Sequence, residues 1–420
     1  MKRMRMFQAP NGVALTRVGV LALAIAGLSA CGGNEGSGTD NAAADAAQAN
    51  EALIAQGKQT FRFDTFGDEA KWTDVLRMNE VVSTVDPTTA LQVGLKVDAE
   101  ALPPEVVAGI QGGTISLTDP ATTLALLKLN AVVGVKGTFD SKGALTRVGF
   151  TCALCHSTVD DSFVHGVGKR LDGWPNRDLN VGAIVALSPA LAADQATKDV
   201  LNSWGPGKYD PRNNFDHQNG PQVIPPAYGL NGIHSITSTG DGSDIAYWNR
   251  YVAVTQMGGQ GTFSDVRNTV FNTDNIPAGG QDLVTSKLPG LQAYQLTLAA
   301  PTPPAGSFDP TAAARGQTLF AGIAKCATCH SGPEFTDANT TLHDPSDGAP
   351  EATGVPSYAS RSITKKYRTS PLKGVWQHAP YFHNGSAATL DDVVSSYNTR
   401  LSLGLTPSQT ADLVEYLKSL

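Results

Sequence analysis

Two short stretches of the chain place two cysteines and a histidine at the same fixed spacing. Both read Cys-x-x-Cys-His, and the residues concerned are Cys152, Cys155 and His156 in the first and Cys326, Cys329 and His330 in the second. In such a pentapeptide the two thiols add to the vinyl groups of one haem, and the histidine that follows ligates the iron. The sequence therefore predicts two covalently bound haem c groups, with His156 and His330 as proximal metal ligands.

A structural zinc site is the alternative use of two Cys-x-x-Cys pairs. In such zinc sites the pairs lie roughly 15–20 residues apart, whereas about 170 residues separate the two pairs here. Each pair is also followed directly by histidine, and no other cysteine lies near either pair. The spacing favours haem over zinc or disulfides.

Residues 1–30 have the composition of a lipoprotein signal peptide. Basic residues precede an apolar run over residues 18–30, and no acidic residue occurs before Cys31. Residues 28–31 (Leu-Ser-Ala-Cys) resemble a bacterial lipobox, and multiple acyl chains on Cys31 would anchor the protein without a transmembrane helix. An ordinary cleaved signal is the alternative, but it leaves a free thiol in an oxidising compartment. We therefore predict a periplasmic protein lipid-anchored to a bacterial membrane, with the outer membrane as the expected one.

The acidic balance of the chain excludes one class of partner. Residues 1–30 hold four of the 31 basic residues and none of the 38 acidic ones, which leaves a formal charge of −11 for the mature chain before haem propionates are counted. Such a charge argues against nucleic acid or another polyanion as partner. No second apolar run is long enough to span a bilayer.

Composition divides the mature chain into a tether and two larger parts. Residues 31–60, which are rich in Gly, Ala, Asn and Asp, are predicted to be a flexible tether. Residues 61–300 are predicted to form an N-terminal haem c domain with long loop insertions, because an apolar helical segment over 124–134 precedes the first motif and Gly- and Pro-rich sequence follows it. The Pro-rich segment 301–306 is interpreted as a linker.

Residues 308–420 carry the helix signals of a small cytochrome c-like domain. Asp309 followed by Pro310 predicts a helix start before the second motif, and Thr406 opens a capping box for a final amphipathic helix. The predicted fold is mainly α, with two cytochrome c-like haem domains and long irregular loops.

The residue opposite each proximal histidine decides whether an iron transfers electrons or reacts with a small oxidant. Only Met78 and Met257 remain after signal removal, and neither lies in residues 308–420, so a His/Met iron is excluded within that domain. Met257 stands beside two glycines and is a candidate displaceable metal ligand of the first haem. The remaining histidines are His165, His217, His234, His343, His378 and His383. Of these, His165 is interpreted as a solvated surface residue.

Beyond its attachment motif, the C-terminal part carries several further stretches of distinctive sequence. They are residues 326–337 (CATCHSGPEFTD), Leu342-His343, residues 370–375 (SPLKGV), residues 379–386 (APYFHNGS) and residues 389–394 (TLDDVV). On these stretches, residues 308–420 resemble along their whole length the C-terminal haem domain of the bacterial di-haem cytochrome c peroxidase and MauG family.

The resemblance implies a sixth ligand for the second iron. In that family the distal ligand lies fourteen residues after the histidine of the Pro-Tyr-Phe-His motif, as Met in the peroxidases and Tyr in the MauG type; here that position is Tyr397. A core tyrosine is the alternative, and His383 is the competing distal metal ligand. His343 is expected near a propionate. A calcium ion between the two domains is also implied.

The N-terminal half departs from the peroxidase pattern, because the Trp-Asp-Gly-Arg distal-pocket motif does not occur in it. Residues 225–230 (PPAYGL), His234 and residues 247–250 (YWNR) are more similar to the di-haem rubber-oxygenase branch of the superfamily. Trp248 is a candidate catalytic residue that relays an electron between haems, and Trp174 is another. Ordinary burial is the alternative for both.

The resemblance implies a di-haem oxidoreductase of the cytochrome c peroxidase/MauG type. We expect hydrogen peroxide or dioxygen to react at the haem of His156, and the haem of His330 to transfer electrons from a periplasmic donor or an oxidisable substrate. Two rival functions stay open. An electron-carrier cytochrome without catalysis would show two low-spin haems, and a haem oxygenase acting on an apolar substrate would have an apolar distal pocket.

The predicted modifications have a direct test. The intact mass should exceed that of the chain from Cys31 by two haems plus acylation, and Cys31→Ser should release soluble protein that is still red. A mass lacking either addition would contradict the corresponding assignment.

Overall fold

The structure, a computed structural model, describes residues 37–347, 350–351 and 357–420. Helices make up 42% of it and strands 10%, so the prediction of a mainly α fold is confirmed. Residues 48–420 form one compact unit; the unit before it ends at Ala47. The predicted signal peptide and Cys31 lie outside the described residues.

Short helices and two-stranded sheets alternate along the chain. The α-helices are α1 (Ser37–Phe63), α2 (Met78–Val82), α3 (Pro87–Gln92), α4 (Pro104–Gln111), α5 (Pro120–Lys128), α6 (Ala153–His156), α7 (Val181–Ala186), α8 (Gln195–Asn202), α9 (Asn213–Asp216), α10 (Ile245–Tyr251), α11 (Leu288–Thr297), α12 (Pro310–Ala321), α13 (Leu390–Arg400) and α14 (Pro407–Lys418). The strands are β1 (Val97–Asp98), β2 (Val135–Phe139), β3 (Leu145–Phe150), β4 (Ser157–Val159), β5 (Val167–Gly168), β6 (Arg170–Asp172), β7 (Lys208–Tyr209), β8 (Gln222–Val223), β9 (Thr262–Phe263) and β10 (Thr273–Asp274). Strands β1 and β5 pair in parallel, and β2–β3, β4–β6, β7–β8 and β9–β10 pair antiparallel.

The prediction of a flexible tether over residues 31–60 is wrong from residue 37 onward, where α1 begins. Alanine-rich sequence favours helix, and long-range packing holds the helix in place. A Cβ atom on Gly57 would lie 1.8 Å from the carbonyl oxygen of Gly290 in α11, so the two backbones touch. Phe61, in the last turn of α1, is fully buried. Composition alone could not show these contacts, because their partner lies more than 200 residues away.

The C-terminal helices begin where their capping signals predict. The Asp309 side chain accepts hydrogen bonds from the first amides of α12, and a complete capping box opens α14 at Thr406. A second capping box at Thr389 opens α13. The three helices pack around one hydrophobic cluster that includes Leu413 and Val394. The linker predicted over residues 301–306 lies between α11 and α12.

Buried ion pairs join the N-terminal half to the segment after residue 357. The guanidinium of Arg361 bonds to the carboxylates of Asp210 (2.9 Å) and Asp216 (2.7 Å). Arg212 bonds to Asp241 at 2.5 Å and stacks over the Tyr358 ring at 3.9 Å. Breaking such a pair leaves a buried charge unpaired, at a cost of about 3–5 kcal/mol. The Arg361 ion pairs and the Arg212–Tyr358 contact cross the predicted boundary between the two haem domains, and that boundary stays a prediction.

Across the described residues, no helix combines the length and the apolar composition that a bilayer crossing requires.

Close packing of α12 on α14 generates a stability prediction. A Cβ atom on Gly316 would lie 2.0 Å from the carbonyl oxygen of Asp412, so Gly316→Ala must push the helices apart. Overpacking of this kind costs about 1–3 kcal/mol, and we expect a lower denaturation midpoint in guanidinium chloride. Thr318→Ala, on the exposed face of the same helix, is the matched control. Equal midpoints for the two variants would contradict the packing.

Candidate haem-binding sites

The first Cys-x-x-Cys-His motif lies on a single helical turn, α6, that β3 leads into. Gly134, with a φ of 77°, passes so close to this turn that a Cβ atom there would lie 2.2 Å from the Leu154 amide nitrogen. The chain then folds back over the motif. The amide of Gly173 donates to the carbonyl of His156 at 2.8 Å, and the amide of Asn176 donates to the carbonyl of Cys155 at 2.9 Å.

The imidazole of His156 is oriented by one hydrogen bond. Its Nδ1 lies 3.1 Å from the carbonyl oxygen of Pro225, which fixes the proton on Nδ1 and leaves Nε2 with a free lone pair. Burial lowers the pKa of His156 to about 4, and the nearby Arg177 adds to this shift. The ring is therefore neutral over the physiological pH range, as a metal ligand must be.

The second motif repeats this design with different elements. Lys325, at a φ of 57°, turns the chain from α12 into a 3-10 turn over Cys326–Thr328. The Nδ1 of His330 lies 3.1 Å from the carbonyl oxygen of Phe335, and burial lowers the pKa of His330. Cys326 packs against the hydrophobic cluster of α12, α13 and α14.

The donor set at both motifs fits haem c. The four cysteines are free thiols. Burial raises the pKa of Cys152 and Cys155 to about 12 and that of Cys326 to about 11, so these thiols stay protonated. Two thiols and a neutral histidine whose Nε2 is free are what covalent attachment and proximal ligation require.

A smaller group of metal-type side chains accompanies the second motif. Ligand atoms of Cys329, Asp337 and His343 lie within 4.8 Å of one another. The Nε2 of His343 lies 2.9 Å from the Asp337 carboxylate. Cys329 belongs to the predicted attachment motif, so this group overlaps the second predicted haem site.

Polar side chains and Met257 lie in the core around the first motif. Cys152 packs against the hydrophobic cluster that contains Met257 and Tyr251. Met257 ends a π-helical turn, Val252–Met257, and its carbonyl accepts a hydrogen bond from Trp72 at 2.8 Å. In the same turn Gln256 is buried and accepts a hydrogen bond from the hydroxyl of Tyr209. Single π-helical turns are frequent at functional sites.

The two candidate ligands of the second iron have different surroundings. Tyr397 lies on α13 beside Phe382, with ring centroids 5.8 Å apart. Burial raises the pKa of Tyr397 to about 12, and the Cys326 thiol contributes to the shift, which places the phenol near that motif. His383 stacks on Tyr367 with centroids 4.5 Å apart, and its Nε2 lies 3.4 Å from the Glu351 carboxylate.

The other histidines separate into surface and buried residues. His165 is 74% exposed and pairs with Asp161 at 3.0 Å. His378 is enclosed: its Nδ1 lies 3.0 Å from the Gly374 carbonyl and 3.2 Å from the Tyr228 hydroxyl. Burial, reinforced by the charge of Arg177, lowers the pKa of His378 to about 3.

The tryptophans named from the sequence lie in different places. Trp248 stacks on Tyr251 inside the N-terminal core, with centroids 4.7 Å apart. Trp174 makes an edge-to-face contact with Trp376, 6.0 Å between centroids, and therefore joins the loop over the first motif to the C-terminal half.

Sequence reasoning missed Trp376, His378 and Arg177 as residues of the region between the motifs. Trp376 and His378 lie between the family-like stretches at residues 370–375 and 379–386, and this position was a signal that could have found them. Arg177 stands in a Gly- and Pro-containing loop with no pattern that marks it.

Two sites that each combine a pair of free thiols with an oriented, neutral histidine are typical of a c-type haem protein. Comparison with known proteins agrees with that class. The family model described as "RoxA-like, cytochrome c-like" matches residues 366–403, which hold the Pro-Tyr-Phe-His stretch and α13.

Curated relatives point to one superfamily. The chain is 31% identical over 149 residues to the cytochrome-c peroxidase IdrP1 of Denitromonas iodatirespirans, over 26% of this chain and 40% of that protein. It is 32% identical over 122 residues to the methylamine utilization protein MauG of Methylorubrum extorquens, over 26% of this chain and 34% of that protein. Over about a quarter of the chain, these similarities support a likeness to the di-haem cytochrome c peroxidase/MauG-like superfamily. The chain spans two fifths or less of these relatives' own length.

Among solved structures, a MauG-like protein associated with microbial copper homeostasis matches 47% of this chain and 73% of its own, with 19% identity and a TM-score of 0.35.

The position of Tyr397 generates a ligation prediction. If the phenolate ligates the second iron, its negative charge stabilises ferric over ferrous iron, so Tyr397→Phe should raise the potential of one haem and change that haem's low-spin spectrum. Spectroelectrochemical titration measures both effects. His383→Ala is the comparison variant. Loss of the low-spin signal in His383→Ala, with Tyr397→Phe unchanged from the native protein, would assign the ligand to His383 instead.

Proposed function

We propose that the protein is a di-haem c-type oxidoreductase that reduces hydrogen peroxide, or activates dioxygen, beside His156 and transfers electrons through the site of His330. One observation carries the proposal. A single compact unit holds two Cys-x-x-Cys-His sites whose histidines are neutral and oriented by backbone carbonyls. The partial similarity to named cytochrome-c peroxidases supports the same reaction class.

The residues of each motif have separate tasks. When bound, each haem would supply a redox-active iron that exchanges electrons, and the iron held by His156 would also react with a small oxidant. Cys152 and Cys155 hold the first group covalently, and His156 ligates it through Nε2 while Nδ1 donates to Pro225. That second hydrogen bond fixes the ring orientation and raises the basicity of the ligating nitrogen.

The surroundings of the two motifs support different roles for them. Tyr397 lies near Cys326 and is the proposed sixth ligand of the second site, which suits electron transfer. Near the first motif the candidate is Met257, on a π-helical turn that ends at Gly258 with a φ of 87°. We propose that Met257 is displaceable, so that a small oxidant can replace it.

Trp174 and Trp376 support electron transfer between the two sites. Trp174 follows Gly173, whose amide bonds to the carbonyl of His156, and its ring meets Trp376 at 6.0 Å. Adjacent aromatic rings are suitable stations for a transferred electron. Trp174 is therefore the proposed relay residue in preference to Trp248, which stacks within the N-terminal core.

Overall, reduction of one peroxide to two waters consumes two electrons and two protons. A periplasmic electron donor or an oxidisable substrate is the proposed source of the electrons. The division into two haem domains, the lipid anchor on Cys31 and the periplasmic location belong to the same proposal.

A calcium ion between the two halves is implied by the family resemblance alone, and the acids at the junction already have arginine partners. Asp210, Asp216 and Asp241, the buried or half-buried acids at the junction, are bonded to Arg361 and Arg212.

Hydrogen peroxide provides the test of the proposed function. We expect a rapid change at the first haem, which becomes high-spin once Met257 is displaced, and loss of that change in a His156→Gly variant that still carries both haems. Stopped-flow absorbance follows both. Two low-spin haems inert to peroxide in every redox state would favour an electron carrier. Oxygenation of an apolar substrate by dioxygen, with no response to peroxide, would favour the oxygenase alternative.

Matched tryptophan variants test the relay in the same experiment. Trp174→Phe should slow oxidation of the second haem after peroxide addition and leave the first change intact, whereas Trp248→Phe should leave both unchanged. The reverse result would return the relay to Trp248.

A further inference from the structure

Two arginines of the described chain carry buried guanidinium nitrogens without a hydrogen-bond partner and without a carboxylate nearby. They are Arg177, through Nε and Nη1, and Arg368, through Nε. A buried charge without a counter-charge costs several kcal/mol, so such a pair of residues calls for an explanation. Each of the two lies beside one of the attachment motifs.

Arg177 is tied to the first motif through its neighbour in the chain. Asn176 donates its amide to the Cys155 carbonyl at 2.9 Å and its side-chain nitrogen to the Gly94 carbonyl at 2.9 Å. The charge of Arg177 acts on His156 and on His378, lowering the pKa of both. Its own pKa is lowered to about 10 by burial.

Arg368 is tied to the second motif through the backbone that follows it, because Ser370 lies beside His330. Its amide donates to the Ser238 carbonyl and its Nη1 to the Ser235 carbonyl, both at 2.9 Å. Next in the chain, the Thr369 carbonyl accepts a hydrogen bond from Thr336, six residues after His330. Burial lowers the pKa of Arg368 to about 10 as well.

Other buried arginines of the described chain have carboxylate partners. Arg361 bonds to two carboxylates, which raise its pKa above the ordinary value. Arg212 bonds to Asp241, and Arg170 bonds to Asp172 at 3.0 Å. Burial lowers the pKa of Arg170, and the charge of Asp172 opposes that shift. Within the residues that the structure describes, these structural arginines therefore have carboxylate partners, and Arg177 and Arg368 have none.

We propose that Arg177 and Arg368 each bind a propionate carboxylate, Arg177 for the haem of His156 and Arg368 for the haem of His330. Attachment through cysteine consumes the vinyl groups only, so each haem c keeps two anionic propionates. A guanidinium presents a planar set of donors that matches a carboxylate. The inference rests on the proposed binding of two haems. It identifies the haem propionates as the anions that neutralise the guanidinium groups of Arg177 and Arg368.

The assignment has a consequence for electron transfer. A positive charge close to a haem favours the ferrous state over the ferric state, so each arginine raises the potential of its own haem. Because the two arginines are separate, the two potentials can be set independently.

Redox titration of the holoprotein, without peroxide, tests the proposal. Arg177→Gln should lower the midpoint potential of one haem and Arg368→Gln that of the other, while Arg177→Lys and Arg368→Lys, which keep the charge, should restore most of each shift. Arg147→Gln is the control, because Arg147 is 40% exposed and pairs with Asp74 at the surface. Native potentials in both Gln variants, with both haems attached, would overturn the assignment.

A measurement on the native protein tests the proposal even if the variants fail to attach haem. The propionate bending band in the resonance Raman spectrum responds to hydrogen bonding, and we expect it at the position of strongly bonded propionates. Bands of water-exposed propionates would overturn the proposal.

The inference and the proposed function can fail separately. A protein whose variants show the potential shifts but that is inert to peroxide would contradict the proposed function and leave this inference standing. A protein that carries a single haem would contradict the proposed function itself.

Discussion

One hydrogen bond at each motif, from the histidine Nδ1 to a backbone carbonyl, is the constraint on which the sites depend. Burial keeps each ring neutral by lowering its pKa, and the hydrogen bond fixes the tautomer and the orientation, which a free imidazole in solution lacks. The two bonds differ in range. His330 bonds to Phe335, five residues away, whereas His156 bonds to Pro225, 69 residues away. The second site is therefore completed by a local turn, and the first only when a long loop has closed over it.

The closing loop also carries most of the groups that connect the two halves. Residues 173–177 bond to the backbone of the first motif, present Trp174 to Trp376 and place the charge of Arg177 near both His156 and His378. Tyr228, on the same side, donates to the Gly374 carbonyl. Residues 173–177 thus hold the backbone of the first motif, supply the positive charge of Arg177 and contact the C-terminal half through Trp174. The predicted loop insertions are functional in this sense, because rigid elements hold them at both ends.

Prediction from the sequence was most successful where the determinants are local. The starts of α12 and α14 follow from Asp309 and Thr406, because a cap involves residues two or three positions apart. The tether over residues 31–60 was the opposite case. Its composition is that of a linker, yet α1 is helical from Ser37 to Phe63, and its later turns are packed on α11.

The sequence by itself determined the chemistry of attachment, because the spacing of two thiols and a histidine is a property of five consecutive residues. It also indicated the superfamily, through stretches that all lie in the last quarter of the chain. Only the tertiary structure decided which side chains meet between the motifs. Trp174 contacts Trp376, which lies about 200 residues further along the chain. Arg177 and Arg368 can be recognised as charges without a carboxylate partner only when the positions of the surrounding side chains are known. Burial and charge pairing depend on contacts between distant segments, and no local pattern encodes them.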